Sequence, residues 1–197
     1  MSISRKGAES VVRQFLPLFK RLNDDGVAYC VVGGIGVMLR ALEHDEKSFR
    51  MTRDADVMFD THFENADFAR AYLDAYASEP ERAALVYRAL FGDGSLDMLE
   101  ADDMRLANTS FVGAKEKYDG VDTPDFDVVR RLNGKELADL DVSTVVFEGV
   151  AVPVATPETL LSMKRDTVEL LMATRATTSR PQDFDDIDTL ESLLGLA

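Results

Sequence analysis

Val31-Val32-Gly33-Gly34 and, after an intervening helix, Arg50-Met51-Thr52-Arg53-Asp54-Ala55-Asp56-Val57 are the two pieces whose reading decides the fold. The first ends a short apolar run over residues 27–32, and residues 35–42 carry on as a helix, so the unit is strand, glycine turn, helix. In the second, Ala55, Val57 and Phe59 alternate with Asp54, Asp56 and Met58, the period of a strand with two unlike faces. Both aspartates then share a face, about 6–7 Å apart along the strand. Two carboxylates at that spacing suit one or two hard cations, and Mg²⁺ prefers such oxygen ligands while keeping positions for water and substrate phosphates. Gly33-Gly34 can hold a phosphate through exposed backbone N–H groups at a helix start, although a tight turn alone would also favour glycine.

Working outward, residues 8–22 set Val11, Val12, Phe15, Leu16, Phe19 and Leu22 on one helical stripe, in which Pro17 should kink the helix or shift its start. Residues 44–53 read as a polar loop. Phe63, Ala66, Tyr72, Leu73 and Tyr76 suggest a further helix, and residues 84–91 and 95–100 flank Gly92-Asp93-Gly94 as a hairpin whose second strand carries Asp97 between Leu96 and Met98. Residues 101–140 show no clear pattern beyond a candidate helix near 126–132. A second hairpin surrounds Glu148-Gly149, and Thr156-Pro157-Glu158 supplies an N-cap and a proline at the first helical position of a helix reaching about residue 174. The last helix starts near Pro181, is expected to carry Phe184, Ile187, Leu190 and Leu194 inward, and stops at Gly195.

With 197 residues the chain suits a single domain, or a core over 1–155 with a helical segment over 156–197 packed on it. The 46% hydrophobic and 29% charged residues are ordinary for a globular protein, and no apolar run nears membrane-spanning length. The start, Met-Ser-Ile-Ser-Arg-Lys, holds no apolar signal core, so the cytoplasm is the expected compartment. The lone Cys30 beside Val31 and Val32 reads as a small core hydrophobe. A balance of 36 acidic to 22 basic residues, −14 net, works against generic nucleic-acid binding. Lys164, Arg165, Arg175 and Arg180 could still form a local basic wall. His44 and His62 have no evident partner.

The glycine pair, the helix and the Asp-x-Asp strand together resemble the signature of the DNA polymerase β-like nucleotidyltransferase superfamily, closest to its AbiEii-type and MenT-like bacterial branch. Leu96-Asp97-Met98-Leu99 fits the family's third acidic position, and Val154-Ala155-Thr156-Pro157-Glu158-Thr159-Leu160-Leu161 with Lys164, Arg180, Asp183 and Asp186 looks like its hairpin, lysine helix and final acidic helix. The resemblance implies an α+β fold, a mixed β-sheet flanked by helices with C-terminal helices. It implies two Mg²⁺ ions held by Asp54, Asp56 and Asp97, and nucleotide contacts from Gly33, Gly34, Arg53, Lys164 and Arg180. Asp183 or Asp186 would position or activate the acceptor. The sequence departs from the family in a longer gap between Gly34 and Asp54, and in Gln182, where a lysine is common. Outside the resemblance, Lys164 reads equally as a solvated helix lysine, and Asp183 and Asp186 as acids favouring a helix N-terminus.

The expected activity is transfer of a nucleoside monophosphate from a triphosphate such as ATP to an acceptor hydroxyl or phosphate. The acceptor would be an RNA such as tRNA, as for a toxin of a toxin–antitoxin system with an antitoxin-like protein as partner, or a small molecule such as an antibiotic. The alternative is a catalytically inactive protein that keeps the fold to bind a nucleotide or a partner.

Overall fold

A computed structural model describes residues 2–24, 26, 28–52, 55–59, 110–114, 117–118, 121–122, 126–132, 134–173 and 181–196. In chain order the elements are β1 (Ser2–Ser4), α1 (Arg5–Arg13), α2 (Leu16–Asp24), β2 (Tyr29–Val32), α3 (Gly33–Glu43), β3 (Ser48–Arg50), β4 (Ala55–Phe59), β5 (Ser110–Ala114), β6 (Lys117–Tyr118), β7 (Val121–Asp122), β8 (Phe126–Arg131), a 3₁₀ turn (Leu137–Asp139), β9 (Val142–Phe147), β10 (Val150–Ala155), α4 (Pro157–Ala173) and α5 (Pro181–Leu193). The helix expected over residues 63–76 and the hairpin expected over 84–100 lie outside the described residues.

Six strands form one mixed sheet in the order β5-β8-β4-β2-β10-β9, with β2–β10 and β4–β8 parallel and the other neighbours antiparallel. The period of two sorts its side chains. Val31, Ala55, Val57, Val145, Val152 and Val154 join α1, α2 and α3 in one buried cluster, while Cys30, Val32, Met58, Val129 and Ala155 join α4 and α5 in another. The chain is therefore α+β, a mixed sheet flanked by helices with two of them C-terminal, as expected. Cys30 is a core residue, and burial pushes its thiol pKa up to about 12. No described helix is long and apolar enough to cross a membrane.

Local sequence explains most elements. Glu148 and Gly149 both have positive φ, 48° and 80°, as a two-residue hairpin turn between β9 and β10 requires. The Thr156 hydroxyl accepts from the Thr159 N–H at 3.3 Å and caps α4, with Pro157 at its first position. Arg40 fastens α3 to the sheet: its buried guanidinium donates to the carbonyls of Ala155 at 3.1 Å, Val154 at 2.7 Å and Ser143 at 3.0 Å.

Four expectations are corrected. The single helix over 8–22 is two helices, because Pro17 lacks the N–H that would continue α1 and sits instead in the first turn of α2. The polar loop over 44–53 contains β3, which pairs antiparallel with β1 and buries Phe49. The candidate helix near 126–132 is the strand β8, whose Val128 and Val129 favour the pleated conformation and pair with Val57 and Met58. Phe184 is not carried inward: it is 39% exposed, while Asp183 and Asp186 are 5% and 2% exposed.

Candidate active site

The glycine turn and the acidic strand meet. Val32 pairs with Asp56 across β2 and β4, so Gly33 leaves its strand directly beside that aspartate. Gly33 has φ +60°, and a Cβ there would stand 1.6 Å from Asp56 Oδ2. Only glycine permits this approach. The half-buried Asp56 carboxylate thus lies at the N-terminus of α3, where the helix dipole favours negative charge.

Gly34 makes the second junction. A Cβ on it would stand 2.3 Å from Arg50 Nη2 and 2.9 Å from Thr52 Oγ1, so the end of β3 presses on the first turn of α3. Arg50 in turn donates from Nε to Asp186 Oδ1 at 2.6 Å and from Nη2 to Asp186 Oδ2 at 3.0 Å. Lys164 Nζ stands 2.8 Å from Asp186 Oδ2 and 2.8 Å from Asp183 Oδ1. Two partly buried cations and two buried anions therefore form one network joining β3, α4 and α5 beside the turn.

Burial lowers the Lys164 pKa, but the charges of Asp186 and Asp183 outweigh it, and the net effect is a pKa above the ordinary lysine value. Asp183 Oδ2 is the only buried side-chain N or O atom without a hydrogen-bond partner among the described residues. Lys164 is not a solvated lysine, and the two aspartates do more than sit at a helix start.

Among the sequence candidates, Gly33, Gly34, Asp56, Lys164, Asp183 and Asp186 are gathered on this part of the molecule. Asp54, Arg53, Asp97 and Arg180 lie outside the described residues. Of the basic wall, Lys164 is tied to Asp183 and Asp186 and Arg165 pairs with Glu191 at 2.6 Å, while Arg175 and Arg180 lie outside the described residues. Among the described residues no three histidine, cysteine or acidic side chains gather as a metal-ligand set.

One residue escaped the sequence reading. Asp127 of β8 pairs in parallel register with Asp56 of β4. Its signal was available: like Asp97, it is an acid between apolar neighbours, here Phe126 and Val128. Arg50 stands before the acidic pair in the sequence, where it could bind phosphate or neutralise those aspartates; its guanidinium instead links the glycine turn to Asp186, a partner 136 residues away that spacing could not name.

No protein-family model and no curated protein matches the sequence. Among solved structures the chain is similar to an antigenic nucleotidyltransferase-like protein from Paracoccidioides brasiliensis, at 17% identity over 98% of this chain and 79% of that one, with a TM-score of 0.49.

Proposed function

We propose that the chain is a cytoplasmic, Mg²⁺-dependent nucleotidyltransferase that moves a nucleoside monophosphate from a triphosphate to an acceptor hydroxyl or phosphate. The observation that carries this reading is the contact of the Asp56 carboxylate with Gly33 at the start of α3. A glycine turn that opens a helix, with an acid beside it, suits a metal-bound triphosphate.

Asp56 is a hard oxygen donor at this turn, and Asp127 holds the register position beside it, so the donor chemistry fits Mg²⁺. Asp54, two residues before Asp56 in the sequence, would join them, with Asp97 as the further candidate for the same role. Bound Mg²⁺ would neutralise the triphosphate and lower the pKa of the acceptor hydroxyl. The Gly33 and Gly34 N–H groups would hold phosphate oxygens, with Arg53 and Arg180 as further phosphate contacts. Lys164, compensated by two carboxylates, would orient Asp183, whose unfilled Oδ2 would accept the acceptor's hydrogen bond. The acceptor oxygen forms a bond to the α-phosphorus, the α–β P–O bond breaks, and pyrophosphate leaves with that electron pair. The acceptor's proton passes to a carboxylate oxygen or to water.

The pairing of Lys164 and Arg165 with acids, together with the −14 charge, favours a small hydroxylated acceptor over tRNA. A toxin role with an antitoxin-like partner would instead accompany an RNA acceptor. Protein incubated with Mg²⁺ and each labelled triphosphate, together with tRNA or a panel of hydroxylated small molecules, should transfer label. Asp56→Ala should abolish the transfer; label transfer that survives Asp56→Ala would overturn the proposal.

The engagement of Lys164 by two carboxylates also suits a protein that binds nucleotide without turnover. Calorimetry separates the readings. Nucleotide affinity indifferent to Mg²⁺, with no transfer to any acceptor, would select the inactive form.

A further inference from the structure

We infer that the N-terminal strand β1 is a positioning strap for this site and that it acts through Arg50, an inference that rests on the functional reading above. β1 and β3 form a two-stranded ribbon separate from the main sheet, with Ser2 opposite Arg50, Ile3 opposite Phe49 and Ser4 opposite Ser48. Such a ribbon is marginal by itself, so its anchorage matters. Phe49 is buried in the cluster beneath α1 and α3, and Ile3 packs against the same cluster.

The next residue along ties the other end of the connection. Arg5 donates from Nη2 to the carbonyl of Leu42 at 3.0 Å, in the last turn of α3, and pairs with Asp45 at 3.0 Å. Asp45 itself has φ +60° in the turn that leaves α3. Residues 2–5 therefore hold both ends of the path from α3 to Arg50. Beyond Arg50, Met51 and Thr52 belong to no regular element, so β1 is the strand that fixes the Arg50 backbone. Arg50 then transmits that position to Gly34 and to Asp186. Releasing β1 should loosen the pair with Asp186 and free α5 from the turn.

The test uses the full chain carrying Ile3→Pro, which removes a backbone donor of β1, with Ile3→Val as the conservative variant. Two quantities are read: calorimetric affinity for ATP with Mg²⁺, and amide hydrogen exchange in α5. Ile3→Pro should weaken ATP binding about tenfold and speed α5 exchange, whereas Ile3→Val should change neither. In an Arg50→Gln background Ile3→Pro should add nothing further, because the strap has lost what it acts through. Where Ile3→Pro does not fold, Arg5→Gln takes its place. Effects that add fully to those of Arg50→Gln, or a lowered melting temperature with unchanged affinity and unchanged α5 exchange, would overturn the inference. If the unsubstituted protein binds no ATP, the functional reading fails, and the exchange arm still decides the strap.

Discussion

Arg50 and Asp186 meet as a two-pronged ion pair, Nε to Oδ1 at 2.6 Å and Nη2 to Oδ2 at 3.0 Å, with the carboxylate 2% exposed. Lys164 adds a third donor to the same carboxylate. Removing one partner of a buried pair leaves the others uncompensated and costs about 3–5 kcal/mol. Asp186→Ala should therefore lower the urea midpoint by that equivalent, and Arg50→Lys should also destabilise because an ammonium cannot reproduce the planar fork. A loss below about 1 kcal/mol for Asp186→Ala, the scale of an exposed pair, would show that the network is not buried in solution.

Gly33 and Gly149 both have positive φ, +60° and +80°, but only Gly33 has a neighbour where its Cβ would go. Alanine at either position costs about 1–2 kcal/mol for the left-handed backbone. Gly33→Ala must also displace the Asp56 carboxylate. It should abolish Mg²⁺-dependent nucleotide binding in calorimetry, while Gly149→Ala leaves binding intact. Equal binding by the two variants would separate the turn from the site.

The register of β4 and β8 sets Asp127 beside Asp56. Asp127→Asn should reduce Mg²⁺-dependent transfer by at least about tenfold, or ~1.4 kcal/mol of transition-state stabilisation, with little loss of stability. Asp97→Asn in the same assay decides which acid serves. Normal activity in Asp127→Asn and none in Asp97→Asn would assign the role to Asp97.

Lys164 has its pKa raised in the folded state. The protonated form is the one the fold favours, so its stabilising contribution is complete below the ordinary lysine value and fades as pH rises through the folded pKa. Urea midpoints measured on the alkaline side should fall more steeply in the unsubstituted protein than in Lys164→Met. Parallel profiles would remove Lys164 as the titrating group.

The helix α5 buries Asp183, Asp186 and Leu190 and leaves Phe184 39% exposed. Phe184→Ser should change stability by less than about 0.5 kcal/mol, whereas Leu190→Ala should cost about 2–5 kcal/mol. Guanidinium unfolding of the two variants measures both. A larger loss for the phenylalanine would reverse the rotation assigned to this helix.

That rotation shows where sequence reading fails. Hydrophobic spacing put Phe184 inside, yet the two aspartates take the inner face because Lys164 and Arg50 wait there with opposite charge. Periodicity ranks side chains by their cost in an apolar interior and carries no term for a partner contributed by another element. The strand β8 failed for a related reason, since a short apolar run serves a helix or a strand equally until its neighbours are known.

The amino-acid sequence by itself determined the local elements: the strand, glycine turn and helix through Gly33, the hairpin at Glu148-Gly149, the helix begun by Thr156-Pro157, and the alternation that singles out Asp56. Each depends on backbone preferences and spacings spanning a few residues. Only the tertiary structure decided that Asp127 stands beside Asp56, that Arg50 reaches Asp186, and which face of α5 turns inward. Those outcomes follow from strand order and helix rotation, which are settled when distant surfaces bury one another and charges find partners far along the chain.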